Sequence, residues 1–207
     1  MLKKDATAIA HTLGKPSKMP GKSYGIPAAE CNVGSKLRNV PGSVCSKCYA
    51  CKGYYSYSVV STAQYKRLNS IDNPQWVSAM VTLIKNETWF RWHDSGDIQS
   101  MAHLTKIMMV AALTPTTRHW LPTKEKKLIS DYLKDGGIIP DNVTVRVSGA
   151  MIDGKAPNVP DGICTSTVHK DNNAIGQSCV APSQNGKCED CRACWDRTVK
   201  NISYHVH

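Results

Sequence analysis

The chain has 207 residues, of which 41% are hydrophobic, 20% are charged and nine are cysteines. This length suits one domain with a sizeable core, and no apolar run approaches the ~20 residues that a membrane-spanning helix requires. The formal charge of +10 raises nucleic acid as a partner. Because the basic residues are dispersed, we expect nucleic-acid binding to be weak and non-specific at most. Because no apolar run is long enough to span a bilayer, we expect no membrane contact.

The N-terminal sequence predicts the compartment. Residues 1–5 lead into no apolar segment of the kind found in secretory signal peptides. Many cysteines in such a chain fit a reducing environment, where thiols stay available for metals. We therefore expect a cytoplasmic protein.

In the first half of the chain, an irregular lead-in over residues 1–21 precedes a short strand over 22–26, which Pro27 ends. Gly34, Pro41 and Gly42 then predict loop conformations. The next elements are a helix, a second helix that starts at a capping asparagine followed by proline, and a strand with alternating faces. They are predicted over residues 54–69, from Asn73 onward, and over 88–93.

In the second half, residues 101–112 carry the clearest apolar stripe and predict a helix. A short strand over 118–121 follows, and Thr123 is predicted to cap a further helix that ends at two glycines. Residues 143–149 alternate as a strand does. The segment over 150–186 is rich in Gly, Pro, Asn, Asp and Ser and predicts irregular structure.

Strands that alternate with helices predict an α/β fold with a parallel sheet and helical crossovers. The repeats are too few for an eight-fold barrel, so we expect a partial, open β/α barrel. We assign residues 1–149 to this barrel and residues 150–207 to an irregular cysteine-rich segment. That segment should pack on the barrel and should not form an independent domain.

Two cysteine runs share one spacing, C-x2-C-x2-C. Such a run presents three thiolates toward one point and resembles the ligand run of ferredoxins. The repeat of this spacing predicts two [4Fe–4S] clusters. The runs consist of Cys45, Cys48 and Cys51, and of Cys188, Cys191 and Cys194.

Each run needs a fourth ligand, which the other cysteines can supply. Cys31 precedes the first run, and both Cys164 and Cys179 precede the second, so one cysteine is spare or binds a further metal. Structural zinc fits less well because its sites usually combine paired C-x2-C knuckles. A disulfide framework fits less well because it needs a secreted chain.

Ligands of parallel α/β sheets bind at the carboxyl ends of the strands. The residues expected there are candidates for binding a cofactor. For His93 or His119 alone, an ordinary role in the core is the better interpretation. The cofactor-binding candidates are Ser95, Gly96, Asp97, Lys124, Arg146 and Ser148.

Short motifs from about Tyr24 to the end of the chain carry a family resemblance. They are Cys31, Cys45-x2-Cys48-Tyr49-Ala50 with Lys52-Gly53, Ser95-Gly96-Asp97, Thr123-Lys124, Val147-Ser148, Cys188-x2-Cys191-x2-Cys194-Trp195 and the terminal strand over 202–207. Together they resemble the phage-encoded family called gene product eighty-eight, a radical-SAM-like iron–sulfur group. The resemblance implies a partial barrel that holds clusters, S-adenosylmethionine as a candidate cofactor, and a location in the host cytoplasm.

Two functions are compatible with this resemblance. If all four N-terminal cysteines bind the first cluster, its irons are closed, and the protein is an electron carrier, a redox sensor or a cluster-stabilised module with a redox partner. If one iron stays open, residues 95–97 receive the amine of S-adenosylmethionine, and the chain is a radical-SAM-type enzyme with an auxiliary cluster. The usual C-x3-C-x2-C motif is absent. The cysteine count therefore favours the closed form with a redox or structural role, and no catalytic residue is assigned.

Overall fold

The computed structural model describes residues 1–206. Its centre is a seven-stranded sheet with the strand order β1-β2-β3-β4-β5-β7-β6, and every pair of neighbouring strands is parallel. Within these residues the sheet is open, with β1 and β6 at its edges. The predicted α/β class with a parallel sheet is thereby confirmed. The strands are β1 (Lys22–Tyr24), β2 (Trp89–Trp92), β3 (Arg118–Thr123), β4 (Val143–Ile152), β5 (Cys164–His169), β6 (Gln177–Ser178) and β7 (Asn201–His205).

Six α-helices occur in the described residues, and short 3₁₀ turns lie between them. The hydroxyl of Ser100 caps α5 by accepting a hydrogen bond from the His103 amide. None of the helices in residues 1–206 has the length and apolar character needed to cross a membrane. The helices are α1 (Lys3–Ala10), α2 (Asn32–Leu37), α3 (Ser58–Ser70), α4 (Trp76–Ile84), α5 (Met101–Ala112) and α6 (Lys126–Lys134).

The two faces of the sheet have different coverings because side chains alternate along each strand. One face carries Phe90, Trp92 and Leu121, which pack in the main core with apolar residues of α1, α4, α5 and α6. The opposite face carries Trp89 and Trp120, and the C-terminal segment covers it. The Trp195 ring lies 5.6 Å from that of Trp89 and 5.2 Å from that of Trp120. The C-terminal cysteine run is therefore held against the face that has no helices.

Three local predictions in the first 150 residues are wrong. The predicted irregular lead-in contains α1, which buries Ala6 and Ala10 completely and packs against α4. Gly34 lies in α2 rather than in a loop. Thr123 ends β3 instead of capping α6, which begins at Lys126. Small residues explain the first error, since two alanines four positions apart bury a helix face with little hydrophobic signal.

The segment predicted to be irregular over 150–186 contains β5 and β6. β5 pairs with β4 on one side and with β7 on the other, so the cysteine-rich segment adds three strands to the same sheet. The predicted terminal strand is present as β7. His207, which was included in that prediction, lies outside the described residues.

Candidate functional site

The first cysteine run lies at the carboxyl ends of β2 and β4. The Val44 amide donates a hydrogen bond to the Ala150 carbonyl at 2.9 Å, and Ser43 forms a bridge with Met151. On the other side, the Tyr49 hydroxyl donates to the carbonyl of Asp94 at 2.6 Å, just beyond β2. The sheet edge therefore fixes this loop at two points.

Four thiols lie together at this edge, and each acts electrostatically on at least one of the others. Burial, followed by the charges of Asp97 and the neighbouring thiols, raises the pKa of Cys31. Burial and Cys51 raise the pKa of Cys48 to about 11. A Cβ at Gly34 would lie 3.6 Å from the sulfurs of both Cys31 and Cys45, so this glycine keeps the space beside them open. The four thiols are those of Cys31, Cys45, Cys48 and Cys51, of which the last is exposed.

Two predicted cofactor-binding residues, Asp97 and Lys124, lie beside these thiols. The Asp97 carboxylate is buried and accepts hydrogen bonds from the Thr123 hydroxyl at 2.6 Å and the Lys124 amide at 2.7 Å. Burial raises its pKa to about 6, although these hydrogen bonds oppose the rise. Burial lowers the pKa of Lys124, and Cys45 and Asp97 oppose that effect. A half-buried cation and a buried carboxyl group thus flank the first cysteine group.

Ser95 and Gly96 shape the end of β2. The Ser95 carbonyl accepts a hydrogen bond from the Ile26 amide at 2.9 Å, whereas its buried hydroxyl has no hydrogen-bond partner among the described residues. That hydroxyl retains the capacity to bind a ligand. Gly96 has a φ of +82°, and a Cβ there would lie 2.3 Å from Cγ1 and 2.7 Å from the carbonyl oxygen of Ile26. Glycine is required at this position by both conformation and space.

The second cysteine group lies on the face of the sheet that carries no helices. Its thiols also act electrostatically on one another. The Cys194 sulfur lies 3.2 Å from the Tyr204 hydroxyl, and burial raises its pKa to about 11. The Cys179 amide donates to the carbonyl of Ser203 in β7 at 2.8 Å. The members of this group are Cys179, Cys188, Cys191 and Cys194.

Cys164 lies away from this group. It is buried at the start of β5, where it pairs with Arg146, and its thiol donates to the Arg197 carbonyl at 3.5 Å. Ser203, to which Cys179 is bonded, pairs with Thr167, three residues along β5 from Cys164, and Cys179 acts electrostatically on Cys188 and Cys194. The structure therefore brings Cys179, and not Cys164, to the second run.

Arg146 was expected to face a cofactor, but its contacts are with the protein. Its guanidinium is completely buried, and its five N–H groups account for five hydrogen bonds to backbone carbonyls. No donor is left for a ligand, so the side chain instead fixes the loop that carries Cys194. The accepting carbonyls are those of Thr165, Ala193, Cys194, Asp196 and Val199, at 2.7–3.3 Å.

Ser148 links two strands. Its hydroxyl accepts a hydrogen bond from the Ser166 hydroxyl at 3.1 Å, which joins β4 to β5. The side chain is half-buried on the same strand face as Arg146. This contact shows that Ser148 helps to join two strands. Its role in cofactor binding stays a prediction.

Two residues outside the predicted set, Arg91 and Tyr49, connect the two cysteine groups. Arg91 is half-buried, donates to the Tyr49 hydroxyl at 3.0 Å and lies 4.5 Å from the centre of the Trp120 ring. Its charge lowers the pKa values of both Cys188 and Cys194, against the larger effect of burial. Burial alone would lower the pKa of Arg91, but Tyr49 and other neighbours outweigh it and raise the pKa. The sequence signal that could have identified Arg91 is its position as the one cation in the otherwise aromatic strand β2.

The donor sets fit iron–sulfur clusters in kind and number. In residues 1–206, no three His, Cys, Asp or Glu side chains lie close enough to share a single metal ion. A [4Fe–4S] cubane binds each thiolate at a different iron, so its four sulfurs stand further apart than the ligands of one tetrahedral ion. Two groups of four thiols match the Cys₄ ligand sets of two such clusters.

Comparison with curated proteins and with solved structures finds no match for this chain. A family model described as gene product 88 matches residues 1–197. The matched range contains all nine cysteines and nearly the whole sheet. The chain therefore belongs to the gene product 88 family.

Proposed function

We propose that this protein binds two [4Fe–4S] clusters and has a redox or structural role. The observation that supports this proposal is the grouping of eight of the nine cysteines into two sets of four, each a C-x2-C-x2-C run with one cysteine from elsewhere in the chain. The ligands of the first cluster are Cys31, Cys45, Cys48 and Cys51. The ligands of the second are Cys179, Cys188, Cys191 and Cys194.

The choice of Cys179 as the fourth ligand of the second cluster follows from its position. It acts electrostatically on Cys188 and Cys194, as expected of thiols that share one site. The Cys164 thiol instead donates to the backbone carbonyl of Arg197 at the start of β5. Cys164 is therefore a buried apolar side chain, a common role for a free cysteine.

When bound, each cluster supplies a one-electron redox couple. The chain supplies a cation beside each cysteine group, Lys124 at the first and Arg91 at the second. A nearby positive charge stabilises the more negative, reduced form of a cluster and so raises its reduction potential. Arg91 also contacts Tyr49, which lies between two ligands of the first cluster. Arg91 therefore links the two groups, by a hydrogen bond to the loop of the first and by its charge at the second.

Anaerobic purification followed by iron and sulfide analysis tests this proposal. We expect about eight irons and as many acid-labile sulfides per chain, since each cubane contains four of each. Cys179→Ser should lose about half of both, whereas the matched variant Cys164→Ser should keep the full content. Stoichiometric zinc without sulfide, in protein made with ample iron, would contradict the proposal.

A second candidate is a radical-SAM-type enzyme with one open iron, an auxiliary cluster and S-adenosylmethionine as cofactor. Strands β1 to β5 lie in sequential order, as in a β/α barrel, which supports interpreting the sheet as a partial barrel. Asp97 acts on Cys31 and Cys45, and the Ser95 hydroxyl is without a partner in the described part of the chain. In this version the exposed Cys51 is not a ligand.

The production of 5′-deoxyadenosine distinguishes the two candidates. Reduced wild-type protein with S-adenosylmethionine should form none if Cys51 closes the first cluster. Cys51→Ala should then open an iron and change the EPR spectrum of the reduced cluster when S-adenosylmethionine is added. Formation of 5′-deoxyadenosine by the wild type, abolished in Cys48→Ala, would establish the enzyme instead.

A further inference from the structure

An exposed surface beside the first cysteine group combines aromatic, aliphatic and basic side chains. Tyr54, Tyr57 and Val59 are 78%, 58% and 80% exposed. Lys47 and Lys52 are exposed on the same stretch of chain. We call these five residues the tyrosine–lysine surface. Three large apolar side chains so close together in sequence and so exposed are characteristic of a surface that contacts another molecule.

All charged side chains in the chain segment that carries this surface are basic. Residues 31–71 contain six basic residues and no Asp or Glu, although the whole chain has 16 acidic residues. The segment includes the whole first cysteine run and the tyrosine–lysine surface. A partner with carboxylates on its contact surface would therefore meet no like charge from this segment. Charge complementarity of this kind steers association and increases its rate.

The location of Cys51 indicates the chemistry of the partner. Cys51 is the exposed member of the first cysteine group, whereas Cys31, Cys45 and Cys48 are half-buried. It precedes Lys52 in the chain and lies within the tyrosine–lysine surface. A cluster held by Cys51 has its nearest approach to solvent at this point, so a redox centre in a docked protein would come closest to it here.

We propose that the tyrosine–lysine surface docks an acidic one-electron carrier protein, which exchanges electrons with the first cluster at Cys51. This inference rests on the proposed function. In the reductive direction, the carrier's centre gives up one electron and the first cluster accepts it, with no bond made or broken.

The size of the surface favours an electron carrier over a nucleic acid. Exposed aromatic rings with lysines also bind single-stranded nucleic acid, but such sites track the backbone of several nucleotides along a basic groove. Here two exposed lysines precede two tyrosine rings that pack edge to face, with centroids 5.3 Å apart. A contact surface of five residues is at the small end of protein–protein interfaces, where the transient complexes of electron transfer lie.

Anaerobic stopped-flow measurements with two purified probes, an acidic ferredoxin and an acidic flavodoxin, test the proposal. Each reduced carrier is mixed with the oxidised holoprotein, and the bleaching of the clusters is followed at several salt concentrations. The double variant Lys47→Glu, Lys52→Glu is compared with the wild type at low salt. With one or both carriers, we expect its clusters to be reduced at least tenfold more slowly. Tyr54→Ala with Tyr57→Ala should slow the reaction severalfold at every salt concentration, because the loss is not electrostatic.

The matched control is Lys3→Glu with Lys4→Glu, which makes the same change in net charge on exposed residues of α1. Its rate should stay within twofold of the wild type. Reduction by dithionite, which needs no docking, should go to completion in all variants and shows that their clusters are redox-active. Equal rates for the lysine variant and this control, with both carriers, would overturn the proposal. So would a lysine effect that persists unchanged at high salt.

Two further measurements separate the alternatives. Iron and sulfide contents are determined for every variant, and binding of the oxidised carriers is titrated independently of cluster content. Charge-dependent carrier binding to a protein without iron would refute the proposed function alone, whereas full iron content without carrier binding would refute the docking alone. Tight binding of a single-stranded oligonucleotide that is lost in the lysine variant, with carrier rates unchanged, would assign the surface to nucleic acid and refute the docking.

Discussion

Arg91 donates a hydrogen bond to the hydroxyl of Tyr49 at 3.0 Å, and this contact joins the two cysteine-rich parts of the molecule. Tyr49 lies between Cys48 and Cys51 in the first run, and the Arg91 charge reaches Cys188 in the second. One half-buried cation therefore contacts the first loop and influences the second. It is the residue through which a change at one centre is expected to affect the other.

Replacing Arg91 by Met should lower the reduction potential of the second cluster while both clusters are retained. The cation stabilises the reduced form, so its loss should shift the potential by on the order of 60 mV, which is a tenfold change in a one-electron equilibrium. Potentiometric titration monitored by EPR measures the shift. Tyr49→Phe, which keeps the cation, should cause a smaller shift. An unchanged potential in Arg91→Met with full iron content would show that Arg91 does not tune the cluster.

Replacing Arg146 by Met should disorder the second cysteine loop and leave the first intact. The variant leaves five buried carbonyls without a donor, and each unsatisfied group costs about 1–3 kcal/mol unless the loop moves to water. We expect rapid proteolysis between residues 180 and 200 and the loss of about half of the iron. Arg146→Lys, with three donors instead of five, should have an intermediate effect. Full iron content and wild-type proteolysis in Arg146→Met would contradict this role.

The sequence predicted the elements that have strong periodicity. α5 carries apolar residues at helical spacing and was located to the residue, and the alternation in β4 located its start, although the strand continues three residues beyond the predicted end. β5 was missed because its sequence, Cys-Thr-Ser-Thr-Val-His, is mostly polar yet buried. Its hydroxyl groups are satisfied by the neighbouring strands, Ser166 by Ser148 of β4 and Thr167 by Ser203 of β7, the latter at 3.0 Å. Such pairing depends on a strand nearly 40 residues later in the chain, which local patterns do not reveal.

The candidate site was predicted in part. The spacing of the two runs identified six cysteines, and the order of the strands placed Asp97 and Lys124 at the same edge. The choice between Cys164 and Cys179 depends on which of them the pairing of β5, β6 and β7 brings to the second run, and spacing does not encode this. Arg146 was predicted to bind a cofactor because a polar residue near a strand end can either bind a ligand or hold the backbone of a loop. Only its contacts in the structure distinguish these two roles.

Replacing Gly96 by Ala should destabilise the protein far more than the same change at Gly136. Both glycines have a φ of +82°, so alanine is strained to a similar degree at each. A Cβ at Gly96 would lie 2.3 Å from Cγ1 of Ile26, whereas one at Gly136 would meet nothing within 4 Å. We expect a loss of about 1 kcal/mol at Gly136 and of more than about 3 kcal/mol at Gly96. Urea unfolding measures both values, and similar losses would show that β1 and β2 do not approach as closely as described.

The stability of the protein should fall with acidification because of buried histidines. His119 is completely buried, shares a hydrogen bond with the Thr114 hydroxyl at 2.9 Å, and has a pKa lowered to about 4 by burial. In the unfolded chain its pKa is about 6.5. Between these values the unfolded state binds more protons, so the free energy of unfolding decreases as the pH falls from about 6.5 toward 4. Asp97 acts in the opposite direction, because its pKa is raised to about 6 by burial and its native form takes up the proton first.

The contribution of His119 is obtained from the difference between wild type and His119→Gln. At pH 7.5 the variant should be less stable, because a longer amide replaces a packed ring. Between pH 7.5 and 5 its free energy of unfolding should fall less steeply than that of the wild type, by up to about 2 kcal/mol over the window, since each pKa unit corresponds to about 1.4 kcal/mol. The exposed His205 supplies the control, and His205→Gln should leave the slope unchanged. Parallel pH profiles for wild type and His119→Gln in urea unfolding would mean that His119 takes up its proton without unfolding.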